Sequence, residues 1–267
     1  MNTRLRKRLG RNYWAFRAWW YQFKLAVWMR RIADPLWVAR RCLLRQLKNR
    51  CYLIQGDVLD LGCGNQPYRH LFNRVDHYVA TDMPPTRGVD AHVDALRLAF
   101  ADNAFHAVLC SQVLEHVREP QQLISEATRV LRPCGALILT TPQVWGLHLE
   151  PNDFFRFTKY GLTHLAESHG LDVIDVVPTC GLWATLVQRV ADTAVHHYAA
   201  RTPRWCRFLI GLSLRPILLA GYWFDRLIGK HGDTLDNVLI ARKPTVQGAR
   251  TCGTTSLTAD KSSLQAA

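Results

Sequence analysis

Three aspartates close three successive short apolar runs, and that spacing carries chemistry. Asp60 sits at the end of Asp57–Leu61 (DVLDL), Asp82 follows Tyr78–Thr81, and Asp94 follows Ala91–Val93. Immediately after the first run comes Gly62-Cys63-Gly64, then Pro67 with the apolar Tyr68, Leu71 and Phe72, the pattern of strand, glycine turn and helix. Such a turn brings backbone amides close to a ligand, which lies across the carboxyl ends of the strands in an open α/β sheet. An acid ending the second strand is placed to take both hydroxyls of a ribose. A single Asp is more often a solvated loop acid; three at successive strand ends make coincidence a poor account. The rival reading, a nicotinamide dinucleotide site, needs G-x-G-x-x-G, and here the last position is Pro67.

The elements that must position these residues follow from periodicity. A fourth strand over Ala104–Cys110 runs into Ser111-Gln112, and a fifth over Ala136–Thr140 follows a turn at Arg132–Gly135. Between them Glu119–Leu131 carries apolar residues at 123, 124, 127, 130 and 131, a helical period. Thr158–His169 reads as a helix ended by Gly170, and Leu171–Val177 and Asn237–Ala241 as further strands. Strands alternating with helices define an α/β fold with a largely parallel sheet. Asp34 and Pro35 read as the N-cap and first residue of a helix through about Leu47. Phe208–Phe224 reads as two short helices broken at Arg215-Pro216, with Pro203 and Pro216 near their starts.

Charge is unevenly distributed. The 267 residues carry a formal net charge of +13, and residues 1–50 alone hold 14 Lys/Arg against Asp34, so the remainder is neutral. The chain is a neutral body with a basic leader, which argues against one broad nucleic-acid-binding face. Read as a helix from Asn12 to Ala33, the leader sets Arg17, Lys24 and Arg31 seven apart on one stripe among tryptophans. Two readings are open: a helix lying in an anionic membrane interface, or an arm packed on the body or on a second subunit. The apolar stretch is broken by Arg17 and Lys24, so neither a signal peptide nor a transmembrane helix is expected. The organisation expected is a basic, aromatic-rich leader over 1–50, a catalytic body over 51–243 with a helical insertion about 181–230, and a disordered tail over 244–267. The eight cysteines include no C-x-x-C and no Cys/His cluster with zinc spacing, so scattered reduced thiols, a cytoplasmic setting and no metal site are expected.

Taken together, VLDLGCGNQPY (58–68), YVATDM (78–83), VDALRLAFADNAFHAVLCSQVLEHV (93–117) and LISEATRVLRPCGALILTTP (123–142) resemble class I S-adenosylmethionine-dependent methyltransferases, in the branch grouped with ubiquinone and menaquinone biosynthesis enzymes. The resemblance spans roughly 55–180, with Asn237–Lys243 matching the family's last strand. It implies a Rossmann-like seven-stranded sheet with helices on both faces and an antiparallel last strand, a helical arm before it and a helical insertion before that strand. It implies S-adenosylmethionine as cofactor, with Asp60, Gly62, Cys63 and Gly64 at its methionine side, Asp82 and Met83 at the ribose, Asp94 and Ala95 by the adenine, and Ser111 and Gln112 beside the sulfonium. Two departures stand out: the family often has Gly at the place of Asn65 or Gln66, and Cys134 replaces the usual Gly of an R-P-G-G turn. Residues 148–161 (HLEPNDFFRFTKYG) resemble a subset linked with surface polysaccharide or lipid biosynthesis.

Methyl transfer from a sulfonium is an in-line displacement in which alignment supplies much of the rate. A hydroxyl acceptor also benefits from a general base. The candidates are His116, just after the fourth strand, and His148 and Asp153 after the fifth, with Arg156 set to pair with an acidic substrate group or with Asp153 or Glu150. The Glu-His pair at 115–116 recurs in relatives with unlike acceptors, so a second reading of His116, as a residue that only shapes the cofactor pocket, stands beside the base. The acceptor expected is a small molecule, a lipid-linked molecule or a glycan. Nucleic-acid chemistry is disfavoured, because Ser111-Gln112-Val113-Leu114 lacks the Asn/Asp-Pro-Pro-aromatic motif of adenine-amino enzymes. The alternative function is a non-catalytic cofactor-binding or membrane-associated module that keeps the fold.

Overall fold

The computed structural model describes residues 34–72, 74–195, 202–229 and 232–245. The expectations for the leader before Asp34 and for the tail after residue 245 therefore lie outside the described residues. Seven strands form one sheet: β1 (Gly56–Leu61), β2 (Val75–Asp82), β3 (Ala91–His92), β4 (Phe105–Ser111), β5 (Leu131–Pro142), β6 (Asp172–Pro178) and β7 (Asp236–Arg242). Their order is β3-β2-β1-β4-β5-β7-β6. Every neighbouring pair is parallel except those of β7, which runs antiparallel to both β5 and β6. This is the sheet that the resemblance implied. The strand order reverses between β1 and β4, the switch point outside which ligands bind in open α/β sheets.

Alternation along the central strands explains why both sheet faces are dry. Leu59, Leu61, Val108, Cys110, Leu137 and Leu139 join one core with Leu123, Ile124, Ala127 and Val130 of helix α2 (Pro120–Val130) and Leu162, Leu165 and Ala166 of helix α3 (Lys159–Glu167). The intervening Val58, Ala107, Leu109, Ala136 and Ile138 join a second core with Leu43, Leu47, Ile54 and Phe72. Strands covered on both faces need near-continuous apolar runs, as these have. Thr158 caps α3 by accepting from the Gly161 amide at 3.1 Å, a bond of the kind expected at such a start.

Several boundaries differ from the sequence reading. The residues after the G-x-G turn form only a single 3-10 turn, Arg69–Leu71, because β2 already begins at Val75 and leaves no room for a longer helix. Arg132–Gly135 is absorbed into β5, with a register irregularity opposite Phe105 and Ala107. There Cys134 holds a φ of 64° and is disulfide-bonded, unlike Cys42, Cys51, Cys63, Cys110, Cys180 and Cys206, which are free; the reading of uniformly reduced thiols is corrected at that residue.

The described residues divide into two compact units, one built on 42–72, 74–179 and 233–245 and holding the sheet, the other on 34–41, 180–195, 202–229 and 232. In the second, helix α4 (Leu182–Thr193) and helix α5 (Arg204–Ile228) are tied together by one carboxylate. Asp225 of α5 accepts from the amides of Gly181, Trp183 and Ala184 at 2.6, 3.1 and 3.3 Å, satisfying the free donors at the start of α4. Gly221 allows the close approach, since a Cβ there would lie 2.4 Å from Val187. Two short helices were expected over this stretch; α5 instead runs through Pro216 as one helix of 25 residues. Packing against α4 through Gly221, Phe224 and Asp225, in the turns after the proline, offsets the one lost backbone bond. Helix α1 (Trp37–Lys48) begins after Asp34, whose carboxylate accepts from the Leu36 amide at 3.1 Å, close to the cap expected there. The return of the chain from α5 is marked by β6 and β7 lying side by side, with the Thr179 amide donating to Asp236 O at 2.9 Å.

Candidate active site

Every sequence-predicted site residue falls at the carboxyl edge of the sheet, in the last residues of β1, β2 and β4 or in the segments after β1 to β5. They form two groups. The first gathers around the G-x-G turn. The amides of Gly62 and Cys63 both donate to Thr81 O of β2, at 2.8 and 2.9 Å, and fold the turn back on its neighbour strand. Gly62 has a φ of 71°, and a Cβ there would lie 2.3 Å from Val113 Cγ2, so no other residue fits. Gly64 has a φ of 52° and faces open space, and its amide donates to Asp82 Oδ2 at 2.9 Å. Asp82 Oδ1 accepts from the Met83 amide at 2.7 Å, so the carboxylate at the end of β2 is aimed by both segments. Gln66 takes a φ of 52°, the conformation that would favour the glycine missing here, and its side chain donates to Gly88 O at 2.6 Å.

Asp60 is 3% exposed, and burial raises its carboxyl to about 6. Tyr78 on β2, which sequence reasoning passed over, donates to Asp60 Oδ2 at 2.5 Å and partly counters that effect. Cys63 is buried beside Asp60 and Asp82, and desolvation pushes its thiol up to about 11, so it is no nucleophile at neutral pH. Asp94 is exposed and turns back on its own loop through the Leu96 amide at 2.9 Å, with Ala95 half-buried next to it. Ser111 and Gln112 leave β4 towards β5. Ser111 Oγ lies 2.8 Å from Thr140 Oγ1, and Gln112, at a φ of 58°, donates from its own amide to Thr140 O at 2.9 Å. Thr140 is thus a partner that no sequence signal marked.

The second group lies in the segments after β4 and β5. Glu115 and His116 occupy a 3-10 turn, Leu114–His116, and the loop after β5 is stitched to it by the amides of Phe154 and Phe155, which donate to Glu115 O at 2.8 and 3.3 Å. His116 Nδ1 lies 2.6 Å from Asn152 O, and the rings of His116 and His148 meet edge to face at 4.8 Å between centroids. Burial lowers the His116 pKa, with the neighbouring His148 acting in the same direction, so a neutral ring is favoured. Glu115 is fully buried, and desolvation raises its carboxyl to about 8.

Asp153 departs from its expected role. Arg156 grips both its oxygens, at 2.7 and 2.6 Å, and the carboxylate also accepts from the His148 amide at 3.0 Å. The fork holds its pKa down at about 2, and its side chain is 1% exposed. A carboxylate so weakly basic and so enclosed is a strut rather than a proton acceptor. His116 and His148 are left as the candidates for that task.

Comparison with known proteins agrees with this geometry. Residues 59–139 match the family model of the methyltransferase domain. The methyltransferase GfsG of Streptomyces halstedii is 29% identical over 164 residues, 54% of this chain and 58% of that one. The ubiquinone biosynthesis O-methyltransferase of Xanthomonas oryzae pv. oryzae (strain PXO99A) is 30% identical over 123 residues, 40% of this chain and 52% of that one. The chain therefore spans little more than half the length of these curated relatives. Among solved structures the cyclase SpnF superposes with a TM-score of 0.50 at 22% identity, covering 76% of this chain and 80% of that one, a likeness of fold alone. The family match and the fold both fit a class I S-adenosylmethionine-dependent methyltransferase. Within the chain the match runs from β1 into β5, so it takes in the G-x-G turn, Asp82, Ser111 and the Glu115-His116 pair but not the loop after β5 that carries His148 and Asp153.

Proposed function

We propose that this protein transfers a methyl group from S-adenosylmethionine to a small-molecule, lipid-linked or glycan acceptor. The observation that carries the reading is the Gly64–Asp82 pair: a glycine with open space at its Cα, whose amide aims the Asp82 carboxylate, on adjacent strand ends beside the switch point of the sheet. These residues fit the cofactor. The donor set is a carboxylate for two hydroxyls at Asp82, a second acid beside it at Asp94, and a turn whose Gly64 leaves space where a side chain would stand. Asp60 would lie at the methionine end and Ser111 and Gln112 near the sulfur. When bound, the cofactor supplies a methyl group activated on a positively charged sulfur. The protein's share is alignment of the acceptor and, for a hydroxyl, removal of its proton by the neutral ring of His116 or by His148.

Calorimetry with S-adenosylhomocysteine tests the first half. Binding by wild-type protein and a loss of about 100-fold in Asp82→Ala are expected, since two hydrogen bonds to a charged group contribute roughly 3 kcal/mol. Folded wild-type protein that takes up none would end the proposal. Incubating labelled S-adenosylmethionine with cell extract separated into lipid, polysaccharide and nucleic acid tests the acceptor class, and label in the nucleic-acid fraction would overturn it.

We place this activity at the cytoplasmic face of an anionic membrane. In support, α5 exposes Trp205, Leu209, Leu212, Ile217, Trp223, Phe224, Leu227 and Ile228, and Phe208–Ile228 is long and apolar enough to cross a membrane by length and composition. The charge of residues 1–50 complements such a surface, each basic residue contributing about 1 kcal/mol near it. Full-length protein should sediment with phosphatidylserine vesicles at low salt and less so at high salt; no sedimentation at low salt would remove the assignment.

A further inference from the structure

Glu115, His116 and His148 come together although neither their spacing nor any motif suggested it: one ligand-capable atom of each lies within 4.8 Å of those of the other two. Two of these residues are adjacent in sequence and the third is contributed by the loop after β5. The second observation is independent of that proximity. Glu115 is 0% exposed, and its Oε1 has no hydrogen-bond partner, while Oε2 has only a long contact of 3.5 Å from Thr141 Oγ1. An unpartnered carboxylate oxygen in the interior costs several kcal/mol unless something positive meets it. What faces it is the outer nitrogen of His116, with Nε2 3.8 Å from Oε1, beyond hydrogen-bond reach.

The histidines are set up from behind. His116 Nδ1 is committed to Asn152 O at 2.6 Å. His148 Nδ1 lies 3.1 Å from Gly146 O and 3.3 Å from Asp153 Oδ2. Each ring thus has its Nδ1 proton directed at an oxygen, which leaves Nε2 as the nitrogen with a free lone pair. A carbonyl or carboxylate behind a histidine is the arrangement that orients metal-ligating imidazoles. Asp153 is itself held by Arg156, so the support extends one layer further.

We propose that Glu115, His116 and His148 bind a divalent transition-metal ion of the zinc class. Two imidazoles and one carboxylate suit zinc, cobalt or iron rather than magnesium. Ligands around a tetrahedral ion stand about 3.4 Å apart at bond lengths of about 2.1 Å, so side-chain rotations of about an ångström close the set. Three protein ligands leave a coordination position open, and both histidine side chains keep some exposure, 18% and 24%. The open position takes an oxygen, which names the acceptor group: a hydroxyl or carboxylate able to bind the ion. A hydroxyl held there loses its proton to solvent more readily. That last step rests on the methyl-transfer reading of the cleft and would stand in place of a histidine base there, since a ring ligated through Nε2 takes up no proton; ion binding does not rest on it.

The test uses full-length, chelator-treated protein titrated with cobalt(II) and followed by visible absorption, with zinc as competitor. One equivalent of cobalt should give the absorption of a four- or five-coordinate site, and one equivalent of zinc should abolish it. His116→Gln and His148→Gln should each weaken binding at least 100-fold, and Asp153→Asn 10- to 100-fold. S-adenosylhomocysteine binding, measured on the same samples, reports separately on the cofactor reading and on whether the variants keep their fold; circular dichroism does the latter if the cofactor reading fails. Absence of cobalt binding by wild-type protein would overturn the inference. So would undiminished binding in the folded His116→Gln/His148→Gln double variant.

Discussion

The two halves of the sheet's carboxyl edge solve opposite problems with the same residue type. After β1 and β2, the acids Asp60 and Asp82 are aimed by a phenol and by backbone amides. No cation touches them among the contacts described, so their charge stays available to a ligand. After β4 and β5, Asp153 is gripped by an arginine and Glu115 is sealed from water. Neutral donors orient an acid without neutralising it, whereas an arginine fork consumes its charge to hold a loop in place. The first half is therefore built to receive, and the second to keep its own shape around two histidines.

The comparison is broken most directly at its rigid corner. Gly62→Ala should destabilise the protein by roughly 3 kcal/mol, from the left-handed backbone and from overlap with Val113. Chemical denaturation would show it, and the additional Val113→Ala change should restore part of the loss. The second half responds differently. Arg156→Gln leaves the enclosed Asp153 carboxylate without its fork, a loss of roughly 2 to 3 kcal/mol on denaturation. Affinity for S-adenosylhomocysteine should stay within about threefold, since the fork braces the other half. A large fall in that affinity would merge the two regions into one.

Finer tests concern Asp60. Its carboxyl is raised to about 6 in the folded state, so the folded protein binds the proton more tightly than the unfolded chain. The sign follows: stability is greatest below the ordinary carboxylate range and is lost as pH rises through about 6, by up to roughly 3 kcal/mol. Asp60→Asn should remove that slope in urea unfolding between pH 4 and 8 and raise stability by roughly 2 kcal/mol at pH 8, while weakening cofactor binding. A wild-type protein that instead gains stability over this range from Asp60 would contradict the burial argument. The smallest effect is expected for Tyr78→Phe, about 1 kcal/mol, with the Asp60 carboxyl moved further up.

The first half was legible in the sequence and the second was not, for a physical reason. Asp60, Gly62, Gly64 and Asp82 are placed by strand ends and one tight turn, features written in neighbouring residues. The partners Tyr78 and Thr140 escaped because they act across strands, through a register that only the assembled sheet defines. The fork on Asp153 is local and stood among the pairings open to Arg156, but the meeting of Glu115 with His148 depends on how the loop after β5 folds back on the turn after β4, a separation of some thirty residues with no period to read. Asp153 was one of three candidate bases, and its enclosure by Arg156 and the His148 amide favours the bracing role. Among elements, strand existence was clear from apolar runs. The helix expected after the G-x-G turn and the break expected at Pro216 failed because chain length in one case and packing in the other outweighed local propensity.

The pairing of β6 with β7 has a consequence for the molecule's history. Pro178 stands opposite Asn237, so the chain leaves the sheet and re-enters it at adjacent points. The helical stretch between them is an excursion whose two ends already meet, and closing it with a short hairpin turn would leave the strand order untouched. A stretch joined in this way can be lengthened, exchanged or lost without renegotiating the fold. Recombination at this position would leave the strand ends that carry Asp60 and Asp82 where they are.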